Sequence, residues 1–179
     1  KGLDWLYFLH SLQFGACLAD DMGLGKTIQV LAFLSTLKSR TNKQKKQNKA
    51  SLLIIPASLI SNWTHEIRQF APGLEILIAH PQIKSNQHAE NYKKIKLDHF
   101  DLVITTYTMV QRYDWLQTYF WNYIILDEAQ AIKNPGTKQT KSIKNLRSAN
   151  RIIMTGTPIE NRLSDLWSLF DFLNPGLGV

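Results

Sequence analysis

Apolar residues follow two rhythms along this chain. Short, nearly unbroken runs rich in Leu, Ile, Val and Ala read as strands at Ala16–Ala19, Leu52–Ile55, Glu75–Ala79, Leu102–Thr106, Tyr123–Asp127 and Ile152–Thr155. Such runs suit strands covered on both faces, because a sheet with one wet side would alternate apolar and polar. Between them the rhythm becomes helical. Ile28, Leu31, Leu34 and Leu37 recur every third residue. Leu59, Trp63, Ile67 and Phe70 form a second stripe, with Ser58 placed to cap it and Pro72-Gly73 to stop it. Leu163, Leu166, Trp167, Phe170 and Leu173 form a third, and residues 86–97 and 137–148 carry weaker helical patterns. Alternating strand and helix signals predict successive βαβ units. The expected fold is α/β, a mostly parallel sheet with helices on both faces.

A length of 179 residues with 44% apolar content fits one domain, 1–179, with a sizeable core. No stretch has the roughly eighteen consecutive apolar residues of a membrane span. The chain opens at Lys1 inside an apolar pattern (Leu3, Leu6, Tyr7, Leu9) and stops just after Asn174-Pro-Gly176, so both ends read as cut from something longer. Its formal charge of +7 is unevenly spread. Lys38, Arg40, Lys43, Lys45, Lys46 and Lys49 share one acid-free segment, and without these six the charge falls to +1. That segment, 38–50, reads as a flexible basic surface loop, with a DNA-facing arm as the alternative. Lys138, Lys141, Lys144, Arg147 and Arg151 have partly helical spacing and read as an exposed helix face. One cysteine, Cys17, permits no internal disulfide, and the five histidines show no ligand spacing.

The candidate chemistry lies in two places. Asp20-Asp-Met-Gly-Leu-Gly-Lys-Thr27 follows a strand and opens a helix, the context of a phosphate-binding loop. Gly23 and Gly25 let successive amides face a phosphate, and the positive end of the helix points the same way. Lys26 would reach the β- and γ-phosphates, and Thr27 would offer its hydroxyl to Mg²⁺. About a hundred residues on, Asp127-Glu128 ends the run Tyr123-Ile-Ile-Leu126. Asp127 then sits at the carboxyl end of a strand, placed to hold Mg²⁺, with Glu128 placed to polarise water. Gly-Lys-Ser/Thr arises by chance in roughly one chain in ten of this length, and four apolar residues before Asp-Glu in roughly one in a hundred. The two together, in this order, point to ATP.

These residues and three further blocks resemble the SWI/SNF-like DNA-dependent ATPases of helicase superfamily two. Ala19-Asp-Asp-Met-Gly-Leu-Gly-Lys-Thr-Ile-Gln29 looks like the first motif, which in this family also lacks the leading glycine. Asp127-Glu-Ala-Gln130 with Ile132-Lys-Asn-Pro135 looks like the second, in a form common among prokaryotic members. Met154-Thr-Gly-Thr-Pro-Ile-Glu-Asn161 and the following Leu166-Trp167 to Pro175 look like the third motif and the helix behind it. Leu53-Ile-Ile-Pro-Ala-Ser58 with Asn62-Trp63, and Ile104-Thr-Thr-Tyr107, look like the DNA-contacting segments.

The resemblance implies the first of two RecA-like P-loop lobes, with the second lobe absent from this chain. It implies an ATP site made by Asp21, Met22, Gly23, Leu24, Gly25, Lys26, Thr27 and Gln130, with Thr27 and Asp127 on Mg²⁺ and Lys26, Asp127 and Glu128 carrying catalysis. The strand bearing Thr155 would lie between those bearing Lys26 and Asp127, so that Thr155, Gly156 and Thr157 couple the γ-phosphate to DNA. Helix capping accounts for Thr157 to Glu160 equally well. Pro56, Ser58, Thr105, Thr106 and Tyr107 would contact the backbone of duplex DNA, while Trp63 lies on an apolar stripe and reads as core. The parent would translocate on DNA past DNA-bound proteins, away from membranes, in a prokaryotic nucleoid or a nucleus. The lobe alone would be nearly inactive. Two alternatives stay open: a nucleotide-gated interaction module without a motor, and a different P-loop enzyme such as a small-molecule kinase.

Overall fold

Successive side chains of a strand point to opposite faces of a sheet, and the strands of this chain are apolar on both. The computed structural model describes residues 16–19, 25–44, 49–81, 96–155 and 163–175. Its strands are β1 (Ala16–Ala19), β2 (Ser51–Ile55), β3 (Ile76–Ile78), β4 (Leu102–Thr106), β5 (Phe120–Leu126) and β6 (Arg147–Thr155). They form one sheet in the order β1-β6-β5-β2-β4-β3, and every pairing is parallel. Parallel neighbours need long crossovers. Here these carry α1 (Lys26–Gln44), α2 (Ile60–Phe70), α3 (Asp114–Thr118) and α4 (Lys138–Lys144), and α5 (Leu163–Leu173) follows β6.

Strand alternation divides the core in two. Leu53, Ile55, Ile104, Ile125 and Met154 pack with Leu31 and Phe33 of α1 and Trp63 and Ile67 of α2. Leu52, Ile54, Val103, Ile124 and Ile153 pack with Leu116 of α3, Ile143 of α4 and Phe172 of α5. Each fully buried Leu or Ile stabilises by about 1.5–3 kcal/mol, so the two layers hold the sheet between them. The expected helices on both faces are present.

Several elements differ from their sequence-based limits. β5 starts at Phe120 and β6 at Arg147, because their amino-terminal halves pair with each other (Phe120 with Arg147, Trp121 with Ser148) outside the continuous apolar runs. α1 continues to Gln44, so residues 38–44 are helix where a loop was expected. No Gly or Pro interrupts this stretch. Lys38 Nζ also anchors it, donating to Asp101 Oδ2 at 2.7 Å and to the carbonyl of Gly73 at 2.7 Å. The buried face of α1 is Val30, Leu31, Phe33 and Leu34, and Ile28 is exposed.

Ser58 is not a side-chain cap. It lies inside a 3-10 turn, Ala57–Leu59, and the helix start that follows has no side-chain cap bond. Phe70 is exposed, and Ala71 and Leu74 bury the end of α2 in its place. On α5 the expected stripe is turned outwards: Leu166, Trp167 and Phe170 are exposed, whereas Leu169 and Phe172 are buried. The basic group is also divided. Lys138 and Lys141 lie exposed on α4, but Arg147 and Arg151 belong to β6. Arg151 is buried against the ring of Phe172 at 4.6 Å and donates to the carbonyls of Phe172 (3.0 Å) and Leu146. Burial lowers its guanidinium to about 10, so it stays charged. The 86–97 pattern lies mostly outside the described residues, and Leu97–His99 is a 3-10 turn.

Candidate functional site

The site is built where three adjacent strands end. β1 runs out at Ala19 level with Thr155 of β6, and β5 stops at Leu126, level with Ile153. Lys26 opens α1 above this edge and is buried, its Nζ donating to the carbonyl of Thr155 at 2.7 Å. A buried ammonium is stable only near opposite charge, and Lys26 and Asp127 do attract each other electrostatically.

Asp127 is held at four atoms. Its amide donates to the carbonyl of Ile54 at 3.0 Å, and its own carbonyl accepts from the Tyr107 hydroxyl at 2.7 Å. Its Oδ1 accepts from the Glu128 amide at 2.9 Å, and its Oδ2 from the indole Nε1 of Trp63 at 2.9 Å. Burial pushes this carboxyl above the ordinary carboxylate value; the bonds from Trp63 and Glu128 oppose the rise, the charge of Glu128 adds to it, and Lys26 opposes it. Burial, then the charges of Asp127 and Glu128, raise the Tyr107 phenol well above its usual value. Tyr107 therefore remains a protonated donor.

Glu128 has a left-handed backbone (φ 53°, ψ 52°), the one positive φ at a non-glycine among the described residues. For a residue with a Cβ this costs about 1–3 kcal/mol. It turns the chain sharply out of β5 into the 3-10 turn Ala129–Ile132. The Glu128 carboxylate accepts from Gln130 Nε2, and Gln130 Oε1 accepts from Thr155 Oγ1 at 3.4 Å. Glu128, Gln130, Thr155 and Lys26 thus form one connected chain of polar contacts.

Of the residues expected at a nucleotide site, Lys26, Asp127, Glu128, Gln130 and Thr155 lie together, and Gly25 and Thr27 flank Lys26, both half-buried. Asp21, Met22, Gly23, Leu24, Gly156 and Thr157 lie outside the described residues. The expected DNA-contacting residues separate into two groups. Pro56 is half-buried and Ser58 exposed on the turn after β2. Thr105, Thr106 and Tyr107, expected to contact the DNA backbone, are buried. Thr105 Oγ1 donates to the carbonyl of Ala79 at 3.0 Å, Thr106 Oγ1 bonds Thr108 Oγ1 at 3.1 Å, and Tyr107 is committed to Asp127. Two features escaped the sequence reading. Trp63 is core as expected, but a buried indole N–H needs an acceptor, and that acceptor is the aspartate. The left-handed turn at Glu128 carries no local signal, since neither glycine nor asparagine marks it.

The donor set fits a magnesium–nucleotide: carboxylate and hydroxyl oxygens suit a hard cation, and an ammonium beside a helix start suits phosphate. The SNF2-related domain family matches residues 1–177. YwqA of Bacillus subtilis (strain 168), provisionally named an ATP-dependent helicase/translocase, is 42% identical over 178 residues, 98% of this chain and 18% of YwqA. The ISWI chromatin-remodeling complex ATPase ISW2 of Saccharomyces cerevisiae is 37% identical over 179 residues, 99% of this chain and 15% of ISW2. The Sulfolobus solfataricus SWI2/SNF2 ATPase core in complex with dsDNA superposes with a TM-score of 0.84 at 45% identity, covering 98% of this chain and 35% of that one. The chain therefore spans less than a fifth of the length of these two curated relatives. Its parallel sheet with helices on both faces is the RecA-like fold of SWI2/SNF2 ATPase cores.

Proposed function

The chain belongs to the SNF2-related domain family, and we propose that it is the ATP-binding lobe of a DNA-dependent ATPase that moves along duplex DNA and remodels protein–DNA complexes. The observation that carries this reading is the contact chain Lys26–Thr155–Gln130–Glu128 beside Asp127, all on the carboxyl edge of β6 and β5. Lys26 and the amides from Asp21 to Gly25 bind the triphosphate of ATP, and Gln130 borders it. Thr27 and Asp127 hold Mg²⁺, which when bound neutralises charge on the phosphates. The Glu128 carboxylate orients the attacking water and accepts its proton. Thr155, Gly156 and Thr157 relay the state of the site towards DNA.

The turn Pro56–Ser58 offers an exposed hydroxyl and the amides that lead into α2. These suit a backbone phosphate, a contact that positions without reading sequence. Thr105, Thr106 and Tyr107 support this edge from within. Catalysis needs a second RecA-like lobe, which in similar motors supplies an arginine finger. No helix among the described residues is long and apolar enough to cross a membrane. A nucleoid or nuclear setting, with DNA-bound proteins as partners, follows from the proposed activity.

The test is ATP turnover by the intact parent protein with and without duplex DNA over a salt series, alongside Glu128→Gln. DNA should accelerate turnover, with an effect that fades as salt rises. The variant should keep ATP binding and lose about 10²–10⁴-fold in rate. Turnover indifferent to DNA would favour a nucleotide-gated interaction module.

A further inference from the structure

We propose that Trp63 is a positioning residue for the magnesium site, setting the orientation of the Asp127 carboxylate through its indole N–H. This rests on Asp127 being a magnesium ligand, as proposed above. Trp63 lies in the first turns of α2, 1% exposed, wedged in the core layer between α2 and the sheet. Packing of the ring on all sides fixes the direction of the N–H, which meets Asp127 Oδ2 at 2.9 Å. The other carboxylate oxygen is fixed by the Glu128 amide, and the residue's carbonyl by Tyr107. Each oxygen therefore spends one acceptor direction on the protein and keeps another for a hydrated cation.

The Glu128 amide holds only one oxygen of the carboxylate, and the indole holds the second. The indole is the one side-chain donor to that carboxylate among the described residues, and with the Glu128 amide it selects the rotamer. A group that orients a metal ligand typically contributes 10–100-fold in metal affinity. Trp63 also stands just beyond the turn Ala57–Leu59, in the first turn of α2.

The experiment measures binding of a fluorescent ATP analogue to the intact parent protein in EDTA and over a Mg²⁺ titration, with thermal melting as a control. Trp63→Phe keeps a ring and removes the donor. It should raise the Mg²⁺ concentration for half-maximal tightening by about ten-fold or more, with affinity in EDTA unchanged. Trp63→His places Nε2–H where the indole Nε1–H lies, and should recover much of the loss. In an Asp127→Asn background, Trp63→Phe should have no further effect on the Mg²⁺ dependence. Equal losses with and without Mg²⁺, or an unchanged Mg²⁺ dependence, would overturn the positioning role and leave Trp63 as core. If Trp63→Phe does not fold, benzothienylalanine at position 63, which keeps the bicyclic shape with sulfur in place of the N–H, decides: a raised Mg²⁺ requirement supports the role, and a wild-type one in a folded protein overturns it. Lys26→Ala separates the two readings. If it binds nucleotide like the wild type, the nucleotide site itself is misassigned; if it binds weakly while Trp63→Phe is unchanged, only the role of Trp63 fails.

Discussion

At the end of β5 a half-buried carboxylate lies beside an indole, and loss of solvent raises its affinity for a proton. Without a cation, ionised Asp127 opposes folding. Its folded value stands above the unfolded one, so its contribution to stability is full below the ordinary carboxylate range and is lost as pH rises through the raised value. Asp127→Asn sets its amide nitrogen against one of two N–H donors, yet in EDTA it should compare better with the wild type at neutral pH than in acid. That relative gain should vanish on acidification below the usual carboxylate pKa. A melting-point difference from the wild type that does not change with pH would contradict this account. The left-handed Glu128 follows the same logic, since local strain beside charge is tolerated where the surrounding bonds dictate it. The identity and placement of Lys26, Asp127 and Glu128 were legible in the sequence because their motifs fix strand, turn and helix together. The bond from Trp63 was only half legible: its burial follows from periodicity, but its acceptor lies 64 residues away and is set by the fold.

β1 and β4 match their sequence-based limits residue for residue, because each is a short apolar run with turn signals on both sides. α5 does not behave so simply. Leu163, Leu166, Trp167, Leu169, Phe170, Phe172 and Leu173 are apolar nearly all round the helix, so periodicity admits more than one inward face. Packing chooses Leu169 and Phe172, where Arg151 draws the end of the helix onto β6 and Ser168 Oγ donates to the carbonyl of Ile132 at 2.7 Å. Leu169→Ala should lower unfolding free energy by about 2–5 kcal/mol, while Leu166→Ala should stay within about 0.5 kcal/mol. Chemical denaturation of both variants checks this. Equal losses would mean that the outer face is covered. The basic run after Leu37 misled for the opposite reason. Lys, Arg and Gln look loop-like by charge yet are good helix formers, and nothing in the chain stops α1 before Gln44.

The described sheet gathers the candidate site from distant parts of the chain. By analogy with similar two-lobed motors, a lobe without its partner lacks the arginine that stabilises charge at the reacting phosphate. An arginine finger contributes about 10³–10⁵-fold in such turnover. The 179-residue chain alone should hydrolyse ATP slower than the intact protein by a factor of that order, with little response to DNA. Single-turnover assays on both would show it, and near-equal rates would mean that the chain is catalytically self-sufficient. The overall α/β class was legible from alternation alone, whereas the place of β6 between β1 and β5 became an expectation only through the family resemblance.

That order has a further consequence for how the molecule comes into being. Ala16 of β1 pairs with Ile152 of β6, so β1 finds this neighbour only after synthesis has run as far as β6. Contacts this far apart in sequence form late and slowly. A nascent chain on the ribosome would have its lysine long before it had a carbonyl of residue 155 to rest on. Nucleotide should thus meet a finished pocket or none, and its capture would report that synthesis of the lobe is complete.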